Sequence, residues 1–324
     1  MKVLLFEYIT GGGFNQQELP TSLLREGQLM LNALLDNFAQ LPDIELCVMV
    51  DSRLVDLIAL ESSQIVVIGS EKNSHTEFAR LAQDCDAVWP IAPEFEGILH
   101  TLCSLVPANT RLLSPSAAAV ELAGNKYLTF QRLMQHGIAT PPTQWLHEAV
   151  FYPGEWIVKA HDGAGCEGSF IVTNEAEFIA AQRAMSLAII QPHLHGAKTS
   201  LSCLFKHGKA WLLSVNLQHF TLLESRYRLT AITVNYQQDN GDYQKLADAV
   251  ASAIPELLGY AGIDLLESDG QQRVLEINPR LTTSFTGLKT ALGINVAEQV
   301  LRLQQSDPEL IIRQNRQVQL VIAC

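Results

Sequence analysis

The 324 residues predict a mixed fold, an α/β domain on a parallel sheet over residues 1–115 followed by α+β modules rich in antiparallel hairpins. Three observations predict it. Strand-like and helix-like segments alternate through the first part, the small-residue stretch SPSAAAVELAGN (114–125) marks a boundary, and beyond Trp145 short strands and hairpins take over. The length exceeds what one core ordinarily supports, so two or three subdomains are expected, and 48% hydrophobic residues suffice to fill them.

MKVLLFEYI reads as a first strand, because its apolar run is too short for a signal peptide and carries Glu7. An amphipathic run from Leu23 to Leu41, ELCVMV, QIVVIG, a helix near Glu77, DAVWPI, a helix near Ile98 and RLL continue the alternation, which implies a parallel sheet with helices on both faces. Gly11, Gly12 and Gly13 follow the first strand. A dinucleotide fingerprint would need glycine where Gln16 stands, and no Gly-Lys-Ser/Thr follows as in a P-loop. What is left is either a ligand-facing loop at the C-terminal end of a strand or a tight turn. Past the boundary we expect a helix from Lys126 to His136, strands at 156–160, 169–172 and 188–194, and a helix from Glu175 to Met185. Strands from Thr199 to Lys206 and Ala210 to Gln218 and a helix from Tyr243 to Leu258 follow.

The formal charge of −12, with no run of Lys or Arg, argues against nucleic acid or a membrane surface as partner. No apolar run is long enough to span a bilayer, so a cytoplasmic location is expected. Cys47, Cys85, Cys103, Cys166, Cys203 and Cys324 show no metal-binding spacing and read as reduced thiols.

The richest chemistry lies in VLEINPRLTTSFTG (274–287), where a strand presents Glu276 and Asn278 on one face before Pro279 and Arg280. Upstream, GIDLLE carries Asp264, and the intervening SDGQ is a hairpin signal that brings Asp264 roughly opposite Glu276. Two carboxylates and an amide oxygen at one spot suit a hard divalent cation such as Mg2+ with substrate phosphates. A solvent-facing hairpin would show the same alternation, although Arg280 behind a rigid proline argues against it. A second segment, EWIVKAHDGAGCEGSFIV (155–172), sets Lys159 at a strand end before Gly163, Gly165 and Gly168. Backbone N–H groups of such a loop can close on phosphate oxygens, yet a merely permissive hairpin loop reads the same way. Lys126 by itself reads as a surface lysine. Cys166 lacks a placeable His-Asp pair and is not read as a nucleophile, and His193 and His195, without a third ligand at suggestive spacing, read as surface or hinge residues.

Lys126, the Lys159 glycine loop, the strand AIIQPHLHG and the Asp264 and Glu276-x-Asn278-Pro279-Arg280 hairpin occur in the order of the ATP-grasp enzymes, which the chain resembles along its whole length. The resemblance implies a pre-ATP-grasp domain at 1–115 and a two-lobed ATP-grasp module, the small lobe with the glycine loop at 116–190 and the large lobe with the Mg2+ site at 191–324. It implies ATP held by Lys126, Lys159, Gly163, Gly165, Gly168 and the hinge residues Gln191, Pro192, His193 and Leu194. Mg2+, with Mn2+ as a substitute, would be bound by Asp264, Glu276 and Asn278, and Arg280 and Lys159 would serve the transferring phosphoryl group. One position departs from the family pattern: Lys198 stands where many members place a ribose-binding Glu.

Within the family, LLFEYITGGGF and EINPRLTTSFTGL most resemble the branch that joins glutamate to tyramine in methanofuran biosynthesis. That likeness implies a carboxylate–amine ligase working through an acyl phosphate on small-molecule substrates, L-glutamate and tyramine, with Gly11, Gly12, Gly13 and Ser284 near them. A kinase on the same scaffold would use the same nucleotide residues, and a noncatalytic nucleotide-binding module is a further alternative. The failed dinucleotide fingerprint disfavours hydride transfer. Nothing in the periodicity fixes an oligomeric state.

Overall fold

The computed structural model describes residues 1–57, 64–163 and 168–322. Its first sheet holds β1 (Lys2–Glu7), β2 (Glu45–Asp51), β3 (Gln64–Ile68), β4 (Ala87–Ile91) and β5 (Arg111–Leu112), all parallel, in the order β3-β2-β1-β4-β5. The apolar runs of β1, β2 and β4 are buried almost throughout, as strands covered on both faces require. Crossover helices α1 (Thr21–Phe38), α2 (Ser74–Gln83) and α3 (Ile98–Leu105) connect the strands. The strand order reverses between β1 and β4, and a crevice opens outside the carboxyl ends of strands at such a point.

Helices α4 (Ala117–Gly124) and α5 (Lys126–Gln135) meet at Asn125, whose side chain accepts from the N–H groups of Tyr127 and Leu128. This cap starts α5 anew and fixes Lys126 at its first position. Next comes a four-stranded antiparallel sheet, β6 (Gln144–Trp145), β7 (Trp156–Ala160), β8 (Phe170–Val172) and β9 (Ala188–Pro192), in the order β6-β9-β7-β8. Helix α6 (Glu175–Ala184) packs Phe178 and Ala181 against Leu146, Val158 and Ile190 to form its small core.

The third sheet is antiparallel and runs β14-β13-β10-β11-β12-β15, with β10 (Ala197–Lys206), β11 (Lys209–Leu223), β12 (Arg226–Gln237), β13 (Gly259–Ser268), β14 (Gln271–Asn278) and β15 (Val318–Val321). Helices α5 and α7 (Asp242–Ala253) cover one face. On the other, α8 (Phe285–Leu292) and α9 (Val296–Leu303) share a continuous apolar cluster with α1 and the first sheet, running from Leu5 and Leu34 to Leu288 and Val300. The Asn37 side chain also accepts from the Val296 N–H at 3.0 Å, and Asn295 donates to the Asn37 carbonyl at 2.8 Å.

The structure departs from the sequence reading in several elements. The helix expected to reach Leu258 ends at Ala253, because Pro255 disfavours helical geometry at Ile254. The strand expected over 210–218 runs on to Leu223 and turns into β12, and β12, like α4, β6, α8, α9 and β15, has no counterpart in the sequence reading. No helix among the described residues is long and apolar enough to cross a membrane.

Candidate active site

β13 and β14 join through Asp269 and Gly270, both at left-handed φ (53° and 70°), the geometry that a two-residue hairpin needs. From this turn Ser268 faces Gln271 and Leu265 faces Val274, then the register slips so that Asp264 faces Glu276. Leu275 is the inserted residue. Without this bulge Asp264 would oppose Leu275, so the bulge brings the two carboxylates together. Asp264 Oδ1 accepts from Gln218 Nε2 and Oδ2 from Asn278 Nδ2, each at 3.1 Å. Burial and the neighbouring Glu276 push the Asp264 carboxyl above its ordinary range. Burial also works against ionisation of Glu276, but the Lys126 and Lys159 ammonium groups outweigh it and hold that carboxylate well below its ordinary range.

Lys126 Nζ lies 3.0 Å from Glu276 Oε2 and donates to the Gly163 carbonyl at 2.5 Å. Its side chain is only 7% exposed, so the surface reading of Lys126 alone is corrected: the cap at Asn125 aims it inward. The donor set of Asp264, Glu276 and Asn278 fits a magnesium ion. All three offer hard oxygens, and a divalent cation relieves the repulsion of a buried carboxylate pair.

These groups line one cavity with Lys159, Gly163, Arg280 and Ser284. Its far wall belongs to the first sheet. Arg280 donates from Nε and Nη2 to the two carboxylate oxygens of Glu94, each at 3.0 Å, with side chains 12% and 6% exposed. Glu94 follows β4, and Glu7 ends β1, so both stand where the strand order reverses. Glu7 accepts from the Thr10 N–H at 2.7 Å and hydroxyl at 2.6 Å, and burial raises its pKa despite these bonds. Glu26 of α1 also lines the cavity and accepts from the Thr283 hydroxyl. Ile9, Leu23, Met30 and Pro93 make this end largely apolar.

The sequence reading names no role for Glu7, Glu26 or Glu94, yet the fold brings Glu7 and Glu26 to the cavity and Glu94 onto Arg280. The signal for Glu7 and Glu94 was their place at the carboxyl ends of parallel strands. Gly11, Gly12 and Gly13 are not among the cavity-lining residues. A Cβ at Gly11 would stand 2.5 Å from the Phe6 ring, one at Gly12 2.6 Å from Ile68, and one at Gly13 2.4 Å from the Tyr8 ring. These contacts account for the glycines by close packing.

On the opposite wall lie Ile157, Lys159, Leu275, Phe220 and Tyr227. Lys198, at the departure from the family pattern, lies 3.7 Å from the centre of the Tyr227 ring and also lines the cavity. Gln191 is buried at the end of β9 with its side chain on the Thr143 hydroxyl at 2.8 Å, and the His193 N–H donates to the Glu155 carbonyl at 2.9 Å. Gln191, Pro192, His193 and Leu194 are not among the lining residues. Gly168 is described, with φ +74°, whereas Gly165 and Cys166 lie outside the described residues.

Residues 123–284 match the ATP-grasp domain family and residues 44–120 the pre ATP-grasp 3 domain family. The chain is 28% identical over 291 residues to the tyramine–L-glutamate ligase of Methanocaldococcus fervens, covering 89% of each. Among solved structures it superposes on an ATP-grasp superfamily protein from Archaeoglobus fulgidus with a TM-score of 0.76 at 22% identity, covering 99% of this chain and 92% of that one. An L-amino acid ligase from Bacillus licheniformis gives 0.73 at 18% identity, with 98% and 78% covered. The two structures speak for the fold, and the family match spans half of the chain, including Lys126, Lys159, Asp264, Glu276 and Arg280, so the protein belongs to the ATP-grasp family.

Proposed function

We propose that this protein is an ATP-dependent carboxylate–amine ligase that joins L-glutamate to tyramine, releasing ADP and phosphate. One observation carries the reading: a single cavity runs from the Lys126/Asp264/Glu276 cluster past Arg280 to an apolar end bearing Glu7 and Glu26. The reactants would meet at Arg280. The relative named as a tyramine–L-glutamate ligase supports the choice of substrates.

A carboxylate and an amine do not condense in water, so a carboxylate oxygen must first attack the γ-phosphorus of ATP, forming an acyl phosphate as ADP leaves. The amine nitrogen then attacks the acyl carbon, and phosphate departs with the former carboxylate oxygen while the nitrogen loses a proton. Bound at Asp264, Glu276 and Asn278, Mg2+ would neutralise phosphate charge. Lys126 and Lys159 would hold the ATP phosphates beside Gly163, the described start of the glycine loop, which lines the cavity with them. Arg280, aimed by Glu94, would hold the activated carboxylate. Glu26 and Glu7 offer carboxylates to the ammonium of the amine, and the raised proton affinity of Glu7 suits it to take the ammonium's first proton, which frees the nitrogen lone pair for attack; the second proton leaves with phosphate. No nucleophilic side chain is required, because positioning and charge neutralisation carry such a transfer.

We take residues 1–115 as the pre-ATP-grasp domain, 116–190 as the small lobe and 191–324 as the large lobe, and the cytoplasm as the location. Mn2+ should replace Mg2+, and neither nucleic acid nor membrane is needed. Product analysis by mass spectrometry after incubation with Mg-ATP and L-glutamate, with and without tyramine, tests the reading. A dehydrated glutamate–tyramine adduct with ADP, formed only with both substrates, is expected. A phosphorylated stable product would favour a kinase instead.

A further inference from the structure

The strand pairing of the four-stranded sheet brings together a second set of metal-binding groups, outside the cavity chemistry. β7 and β9 are antiparallel with Trp156 opposite Pro192, so the preceding Glu155 comes opposite the following His193, whose N–H donates to the Glu155 carbonyl at 2.9 Å. His195 lies two residues further along the same segment and turns to the same carboxylate. His193 Nδ1 is 2.8 Å and His195 Nε2 3.1 Å from Glu155 Oε2, and the imidazole ring centres are 4.6 Å apart. The three ligand atoms lie within 4.8 Å of one another.

We propose that Glu155, His193 and His195 form a binding site for one divalent transition cation of the zinc class, where the start of β7 meets the segment that links β9 to β10. Two imidazole nitrogens and one carboxylate oxygen match a three-ligand zinc set with a fourth position open to water, and this set is too nitrogen-rich to favour Mg2+. Tetrahedral bonds of about 2.0–2.1 Å put ligand atoms about 3.3 Å apart, close to the two spacings to Glu155. His193 is the fixed member, 5% exposed, with Nε2 bound to the Tyr227 hydroxyl at 2.8 Å. That outer bond orients the ring and leaves Nδ1 directed at Glu155, as the ring nitrogen opposite a metal is ordinarily held. Glu155 and His195 are 50% and 76% exposed, so the site is open to solvent and His195 is free to close on the ion. Tyr227 is shared between this site and the cavity wall.

The test is calorimetric titration of untagged, EDTA-stripped protein with ZnCl2 in excess MgCl2, which competes with Zn2+ for the Asp264 and Glu276 carboxylates. Parallel CoCl2 titration is read by the visible bands of tetrahedral cobalt. One equivalent should bind with a Kd of about 10 µM or tighter. His195→Ala and Glu155→Gln should each weaken binding at least about tenfold and erase the cobalt bands, and Tyr227→Phe should weaken it by about tenfold. His147→Ala, at an exposed histidine elsewhere, should leave binding unchanged. No binding by the parent protein in this range, or equal affinity in His195→Ala and Glu155→Gln, would overturn the proposal.

Discussion

Replacing Glu94 by alanine strips Arg280 of the carboxylate that holds it by two 3.0 Å bonds between the first sheet and the β14 hairpin. The guanidinium would keep its 3.1 Å bond to the Leu281 carbonyl and stay largely buried. Removing one partner of a buried pair costs about 3–5 kcal/mol, because the other charge is left uncompensated. The Leu281 bond and the adjoining cavity place the expected loss near the lower limit, about 3 kcal/mol, or about a hundredfold in the folding equilibrium. Glu94→Gln keeps one acceptor and should lose less. Removing both charges in Glu94→Ala/Arg280→Met should recover most of the stability while abolishing turnover, since Arg280 itself would be gone. Urea unfolding monitored by fluorescence and the ADP-release rate at saturating substrates read the two effects separately. A Glu94→Ala variant within about 0.5 kcal/mol of the parent, with unchanged kcat, would refute the idea that Glu94 aims Arg280.

At Asp264 stability and function should move in opposite directions. Its folded pKa is raised above the unfolded value, so ionisation costs stability progressively as pH rises toward the folded pKa. In metal-free protein Asp264→Asn should therefore stabilise by about 1–3 kcal/mol at pH 8 and much less near pH 4, yet abolish ligase turnover. Equal thermal shifts at both pH values, or retained activity, would contradict this. Lys159→Ala should raise the KM for ATP and lower kcat by at least about tenfold, as steady-state kinetics would reveal. Asp51 is fully buried, which opposes ionisation, but bonds from Arg53 outweigh burial and lower its pKa. Its stabilisation is present above about pH 4 and is lost as pH falls through the lowered folded value. Arg53 also donates to the Phe14 and Gln17 carbonyls. The stability lost in Arg53→Ala should thus be larger at pH 7 than at about pH 3 in denaturant titrations.

The parallel first sheet was legible because buried strands write themselves as apolar runs separated by amphipathic helices. The carboxylate hairpin was legible because Asp269-Gly270 is a strong turn signal and Glu276 and Asn278 alternate. What escaped has physical causes. β12 returns from β11 through Glu224 and Ser225, which hold left-handed φ of 48° and 61° without a glycine to announce it. The bulge at Leu275 follows from no local rule, yet it sets which residue faces Asp264. Lys126 is buried by a cap and by the long-range partners Glu276 and Gly163, and Glu94 acquires its role only through Arg280, far along the chain. His193 and His195 lacked a third ligand until the β7–β9 register supplied Glu155.

Activation of a carboxylate by ATP is the central step of the proposed reaction, and isotope transfer into phosphate reads that step. With L-glutamate labelled with 18O in its carboxylates, Mg-ATP and tyramine, each turnover should deliver one 18O atom into inorganic phosphate, read by the isotope shift in the phosphorus spectrum. ADP and amide formed with no label in the phosphate, or label carried into AMP, would contradict it.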